Sequence, residues 1–426
     1  MSVKHLILFF SILFTQPIFS QSELGTYFLE NSGGNLYLNP SYTQDAAFSW
    51  TLPSLYYIHG SEGPGILGIL KDNVLNLNGL EDKLKENNSF LYGFQGSLGA
   101  LYFKYNNLSF HVGQNLKSNI QVDYNNLLFD ILLNGNAPYI GESVNIGPYA
   151  NLNFYNEFYF GFAVQLQNLS IGTRIKRLNG FGNAYTPKHD FSIYTHDEIY
   201  QLKFNTEYQI HTNLYADSLA FDSFTSQLWG NLTKNGGWAF DFGLKADILD
   251  QFTISASLLD MGNIHWKNET TKFTTEGNFE FDGFDFEKLI TDSLDILDFD
   301  SLAQIINVTE SNESYKAGLP VQFYLGLQYY PTEQWEINAL FYNAYSSGRA
   351  HPSFSLGGKY KASEYFNTSL TYTWNRFSYF NLGWNGELNL KWFHLYLNMD
   401  NIIDIFRPVG GNYFNVRAGV QIDFVR

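Results

Sequence analysis

The stretch FDFGLKADILDQFTISASL, residues 240–258, decides the fold. Phe240, Phe242, Leu244, Ala246 and Ile248 fall on one face of an extended chain. Asp241, Gly243, Lys245 and Asp247 fall on the other, because successive side chains of a strand point to opposite sides. Leu249-Asp250-Gln251 supplies a turn, and Phe252, Ile254, Ala256 and Leu258 then alternate with Thr253, Ser255 and Ser257. The two arms form a long hairpin with one apolar and one polar face.

The same pattern recurs along the chain. Leu101, Phe103 and Tyr105 turn at Asn106-Asn107 into Leu108, Phe110 and Val112. Leu152 and Phe154 lead to Asn156-Glu157, which reads as a turn, and then to Phe158, Phe160, Phe162, Val164 and Leu166. Phe323 to Tyr329 turns at Pro331-Thr332-Glu333 into Trp335 to Phe341, and Phe354 to Tyr360 turns at 361–364 into Phe366 to Trp374. The last segment alternates Phe414, Val416, Ala418, Val420, Ile422 and Phe424 with Asn415, Arg417, Gly419, Gln421 and Asp423.

Alternation fits a soluble sandwich, apolar face inward, or a membrane barrel, apolar face to lipid. The segments run about 9–12 residues, as a tilted membrane-crossing strand needs, against about 5–6 in globular sheets. Tyr and Trp gather near segment ends (Tyr105, Tyr329, Trp335, Tyr360, Trp374), where interfacial girdles lie. The expected fold is therefore all-β, a transmembrane antiparallel up-and-down barrel of roughly 14 strands with short turns at one end and long loops at the other. The clearest long connections are 65–90, 115–145 and 263–317. The last, read as an extracellular loop, carries eleven acidic residues from Glu276 to Glu313 against Lys288, with room for short helices between Phe286 and Val308.

Composition narrows the function. Of 426 residues, 18% are aromatic and 15% charged, against about 25% charged in soluble domains. The charge is 25 − 41 = −16, which disfavours a phosphate backbone as partner; no nucleic acid is expected. Cysteine is absent, so disulfides, thiolate nucleophiles and Cys-bound metals are excluded. Lys4 and His5 before the apolar run Leu6–Phe14, with Ser20 before Gln21, read as a secretory signal over 1–20. That run is shorter than the ~20 residues of a membrane helix. The mature barrel then spans 21–426, with the outer membrane of a diderm bacterium as its expected location.

Five stretches carry a resemblance: GGNLYLNPSY near the mature start, SLLDMGNIHW (257–266), LPVQFYLGLQYYP (319–331), NLGWNGELNLKWFHLYLNMDNI (381–402) and YFNVRAGVQIDF (413–424). On these the chain resembles a Bacteroidota outer-membrane barrel family of unknown function within the long-chain fatty-acid-transporter-like group. Asn39-Pro40 stands where such barrels carry Asn-Pro-Ala, with Ser41 replacing the alanine. The resemblance implies that 21–45 folds into the lumen as a plug. The chain ends in Arg426, not the usual Phe, so Phe424 is the residue that would take that terminal role.

Site signals are sparse. His189-Asp190 and His196-Asp197 lack a metal-ligand spacing, and the acidic stretch lacks the order of an EF-hand loop, so both read as solvated loop polarity. Ser109 and His111 share a strand face without a recognisable catalytic pattern, and no Walker, Gly-x-Ser-x-Gly or zinc-protease motif occurs. Gly93, Gly96 and Gly99 read as sheet curvature, with a lateral opening for a greasy ligand as the sharper alternative. No catalytic residue, metal or cofactor is expected. Asp241, Lys245, Asp247, Arg417 and Asp423 are expected to face the lumen and hydrate it. Gly243 should accept an arginine more readily than Leu244 does. The expected function is passive transport of a hydrophobic or amphipathic small molecule, with membrane lipid as neighbour. The alternative is a non-transporting structural component of an envelope secretion or assembly machine, docked to envelope proteins.

Overall fold

The computed structural model describes residues 24–29, 33–63, 70–71, 74–75, 84–214, 234–281, 306–346, 349–406 and 412–425. Its wall strands are β1 (Phe48–Thr51 and Ser54–Glu62), β2 (Asn87–Tyr105), β3 (Leu108–Asn125), β4 (Tyr149–Leu166) and β5 (Leu169–Thr195). There follow β6 (Asn235–Leu249), β7 (Phe252–Trp266), β8 (Tyr315–Gly318 and Val321–Tyr329), β9 (Trp335–Ser346) and β10 (Arg349–Lys361). The last four are β11 (Phe366–Trp374), β12 (Asn381–Leu390), β13 (Phe393–Met399) and β14 (Tyr413–Val425). Each pairs antiparallel with the next, and β14 pairs with β1, so 14 strands close a barrel without a free edge. The expected strand number and closure are those of the structure.

The wall separates the two faces as alternation requires. Phe242 is 51% exposed and Leu244 38%, pointing outward, while Asp241 between Phe240 and Phe242 is 0% exposed. Outward Leu325, Leu327, Ile337, Leu356 and Leu370 continue the apolar belt around the ring. Its edges are aromatic: Trp335 lies 4.7 Å from Tyr360 at the short-turn end, and the Arg177 guanidinium sits 5.2 Å over Trp238 at the other. An outward apolar band between aromatic edges is the build of an outer-membrane-type barrel.

Two sequence expectations are corrected. Asn156-Glu157 is no turn: β4 runs unbroken from Tyr149 to Leu166, and Glu157 is buried inside. Polar residues in mid-strand mark a turn in a soluble sheet, but here Asn153, Tyr155, Glu157 and Tyr159 all point into a polar interior. The connection expected over 263–317 is largely strand where it is described. β7 reaches Trp266, and strands Thr271–Phe281 and Thr309–Ser311 follow. Thr271–Phe281 pairs with Leu202–Thr212, which pairs with the upper half of β5, raising a sheet above the apolar belt. Acidic residues of that region have bases opposite them: Lys203 lies 2.8 Å from Glu280, Lys188 3.8 Å from Glu276, and Lys272 2.8 Å from Glu313. The 1–20 signal, the first residues of the 21–45 segment and the helices expected within 286–308 fall wholly or mainly outside the described residues.

The barrel's main apolar core is built around the N-terminal segment. Leu24, Tyr27, Phe28, Leu36, Tyr37, Leu38 and Tyr42 cluster with Tyr102, Tyr159, Leu259, Tyr324, Leu340 and Tyr342 from the wall. Two short 3₁₀ turns, Gly25–Phe28 and Asn35–Tyr37, leave most of its backbone groups without regular partners. Inward wall side chains satisfy them, as a buried irregular segment requires. Ser257 Oγ donates to Leu38 O (2.6 Å), Ser170 Oγ to Ser41 O (2.6 Å) and Lys359 Nζ to Phe28 O (3.4 Å). Asp400 accepts the Leu24 and Gly25 N–H groups, both at 3.0 Å.

Candidate functional site: a polar chamber closed by the N-terminal segment

The β6–β7 pairing skips a step, so Asp241 stands opposite Leu259 and Asp260. Asp260 takes a left-handed φ of 60°, and its N–H donates to Asp241 Oδ1 at 2.8 Å. A bulge of this kind re-aims a side chain, and here it turns a second carboxylate inward. Lys176 Nζ bridges the pair, 2.8 Å from Asp241 Oδ2 and 2.5 Å from Asp260 Oδ1. Lys117 Nζ lies 3.1 Å from Glu157 and 3.4 Å from Asp260, and Arg174 Nη1 lies 3.4 Å from Asp241. Three cations thus meet three carboxylates, and Asn115 Nδ2 donates to Glu157 Oε1 at 2.7 Å. Buried charges are tolerable when paired and hydrogen-bonded in this manner.

Above this cluster lies a chamber of about 1020 Å³, counting the space that opens toward solvent. Gln95, Asn119, Gln121, Asn151, Asn153 and Gln322 give it an amide lining, and Tyr155, Tyr324 and Tyr342 give it aromatic walls. Gln322 is held in place: its Nε2 donates to Asp260 Oδ2 at 2.8 Å, and its Oε1 accepts from Tyr324 and Tyr342 hydroxyls at 3.1 and 3.4 Å. A smaller cavity of about 330 Å³ shares Gln95, Lys117, Asp260 and Gln322 with the chamber and ends on Tyr37 and Leu38. The β11–β12 connection leans across the mouth. Arg376 donates to Glu62 Oε2 (2.7 Å) and Asp123 Oδ1 (3.1 Å), and the Phe377 ring stacks on Tyr413 at 6.2 Å.

The residues singled out in the sequence take different places. Asp241 is in the ion cluster. Arg417 lies between two rings, 5.0 Å from Tyr37 and 4.9 Å from Tyr56, and so joins the N-terminal segment to the wall. Asp423 accepts from His394 Nε2 or pairs with it at 2.9 Å, and takes the Gln421 Nε2–H at 2.8 Å, near the short-turn end. Lys245 is half-buried with its ammonium 5.6 Å over Tyr42, and Asp247 is exposed at the rim, accepting from Thr253 at 2.6 Å. Asn39 bonds both arms of the β6–β7 hairpin: Nδ2 donates to Leu244 O (3.4 Å) and Ala256 O (3.2 Å), while Oδ1 accepts from Ser41 N (2.9 Å). Pro40 lies against Gly172 and Gly243. His189 lies on the upper half of β5 and His196 in the turn just past its end, and no group of three metal-binding side chains occurs among the described residues. Ser109 and His111 are both buried inside, and Arg174 Nε donates to His111 Nε2 at 3.3 Å.

Sequence reading missed Lys117, Glu157, Arg174, Lys176 and Asp260. Arg174 and Lys176 alternate with outward Ile175, a signal available in TRIK; Lys117, followed by Ser118, and Glu157, preceded by the buried Asn156, have a weaker one. Asp260 carries no such signal, because the bulge breaks the phase on which alternation depends.

A closed barrel with an apolar outer belt, an ion-paired interior and an inserted N-terminal segment defines an outer-membrane-type β-barrel protein. Residues 40–400 match the family of unknown function DUF5723, and the chain belongs to that family. No curated protein matches it. Similar solved structures include the toluene transporter TodX of Pseudomonas putida, at 12% identity and a TM-score of 0.44, covering 96% of this chain and 100% of that one. A FadL homologue of Pseudomonas aeruginosa is similar at 10% identity and 0.45, covering 94% and 96%. The barrel assignment rests on its own strand pairings and not on these likenesses.

Proposed function

We propose that this protein is an exported outer-membrane channel that passes amphipathic small molecules passively, with the N-terminal segment as its plug. The observation that carries the reading is the pair of adjoining cavities inside the ring, which share Gln95, Lys117, Asp260 and Gln322, the inner one ending on Tyr37 and Leu38 of that segment. A 14-stranded ring is too wide for its own side chains to fill. The segment fills the lower part, its apolar side chains packed in the core with wall tyrosines and its backbone groups held by inward polar side chains. Residues 1–20 serve as the cleaved export signal, and Asn39-Pro40 fixes where the plug joins the wall. Asp241, Arg417 and Asp423 hold the interior polar, with Lys245 and Asp247 at its lower rim. Deleting residues 23–37 tests this in proteoliposomes. The expected result is an assembled, heat-modifiable barrel with raised solute permeability. An assembled barrel with unchanged permeability would count against the plug and favour a structural role in the envelope.

A further inference from the structure

The chamber lining separates kinds of amphipath. Resting on the proposal that this chamber is the solute's route, we infer that its ligand is a small uncharged molecule rich in hydroxyl groups with one apolar face, of the glycoside type.

Charge argues first. The two cations of the lining are Lys117 and Arg376, and each is bonded to two carboxylates: Lys117 to Glu157 and Asp260, Arg376 to Glu62 and Asp123. A fatty-acid anion entering here finds no uncommitted positive partner and must displace a carboxylate from an existing pair. The amides argue next. Among the described residues, the Gln95 and Asn119 side chains are half-buried at the chamber surface and make no hydrogen bond within the protein. A hydrocarbon would strip water from both and return nothing, whereas hydroxyl groups satisfy donor and acceptor alike. The apolar side completes the match. The Tyr324 and Tyr342 rings are packed in the core, Tyr324 stacked on Tyr27 at 5.2 Å, so the partly exposed apolar groups that the lining offers to an apolar face are Tyr56, Phe94, Pro320 and Ala344.

The test uses the full mature chain in a zwitterionic, sugar-free detergent, with phenyl β-glucoside as probe and toluene and laurate as rivals, followed by calorimetry. The glucoside is expected to bind saturably, and Gln95→Leu with Asn119→Leu to weaken it tenfold or more while toluene binding holds or tightens. Saturable binding of toluene or laurate without the glucoside overturns the inference and leaves transport standing. Glucoside binding that the double variant does not weaken overturns it as well. Because that variant can fail to fold, a diazirine phenyl glucoside is also cross-linked to the wild type. Labelling within 91–95 or 117–121 supports the assignment, and labelling only elsewhere overturns it. Glucoside binding without flux in proteoliposomes supports the ligand class while counting against transport.

Discussion

Gly172 of β5 and Gly243 of β6 are direct cross-strand partners, and together they leave a notch that the Asn39-Pro40-Ser41 turn occupies. A Cβ on Gly172 would lie 2.2 Å from Pro40 O, and one on Gly243 would lie 2.1 Å from Asn39 Oδ1. The missing side chains of the wall are therefore the seat of the N-terminal segment. This also reverses the expectation that Gly243 accepts an arginine: the space is inside the ring but already filled.

Gly243→Ala should displace the Asn39 turn at a cost of about 1–3 kcal/mol, the usual range for overpacking a filled interior. Urea unfolding in lipid vesicles reads that cost, and solute permeability should rise with it. In a chain lacking residues 23–45 the same substitution should be nearly neutral. An equal cost in both backgrounds would mean that Gly243 serves strand geometry and not the notch.

Leu244 faces outward beside Phe242 in the apolar belt. Leu244→Arg should cost about 2–4 kcal/mol if that position lies near the bilayer midplane. Gln95→Arg, directed into the chamber, should assemble at nearly normal yield. The comparison is made by folding both variants into vesicles and scoring the heat-modifiable band. A reversed order would mean the apolar face does not meet lipid.

The wall was legible in the sequence because lipid outside and polar groups inside impose the same alternation on nearly every strand. The hairpins at 240–258, 323–341 and 354–374 follow that rule without interruption. Legibility failed where polarity had two meanings, as at Asn156-Glu157, and where a bulge shifted phase, as at Asp260. The site was less legible still. Its parts lie on β2, β3, β4, β5, β6, β7, β8, β9, the β11–β12 connection and the N-terminal segment; pairing of neighbouring strands brings Lys117 to Glu157, but only ring closure brings Gln95 toward Gln322. The acidic upper region misled for the same reason, since its bases Lys188 and Lys203 come from distant segments.

Lys176 is the hub of the ion cluster, buried within 3.7 Å of three carboxylates. Lys176→Met leaves Asp241, Asp260 and Glu157 to share Lys117 and Arg174, stranding about one buried negative charge. Breaking a buried pair from one side costs about 3–5 kcal/mol, so the variant should unfold at markedly lower urea. Combining it with Asp241→Asn should recover a good part of the loss. Lys188→Met, which removes an exposed ammonium paired with the exposed Glu207 and Glu276, should change stability little. If Lys176→Met proved as mild as Lys188→Met, the cluster would be hydrated in solution and not a closed network.

The upper sheet should loosen in mild acid through His211. This residue lies on the Leu202–Thr212 strand, beyond the Arg177–Trp238 edge of the belt, with its ring 5.1 Å from both Tyr185 and Tyr315. Burial pushes its pKa down from 6.5 to about 4, and the Lys272 ammonium adds to the effect while Glu313 opposes it. Its folded state therefore stays neutral while an opened state takes a proton. The sheet's full stability holds above pH 6.5 and is lost progressively as pH falls toward about 4. Amide hydrogen exchange along 202–212 should accelerate across that window, after correction for the intrinsic pH dependence of exchange. His211→Phe, which keeps the ring contacts and cannot charge, should flatten the profile. An acceleration that persists in His211→Phe would assign the acid sensitivity to another group, with the Lys272–Glu313 pair as the first to replace.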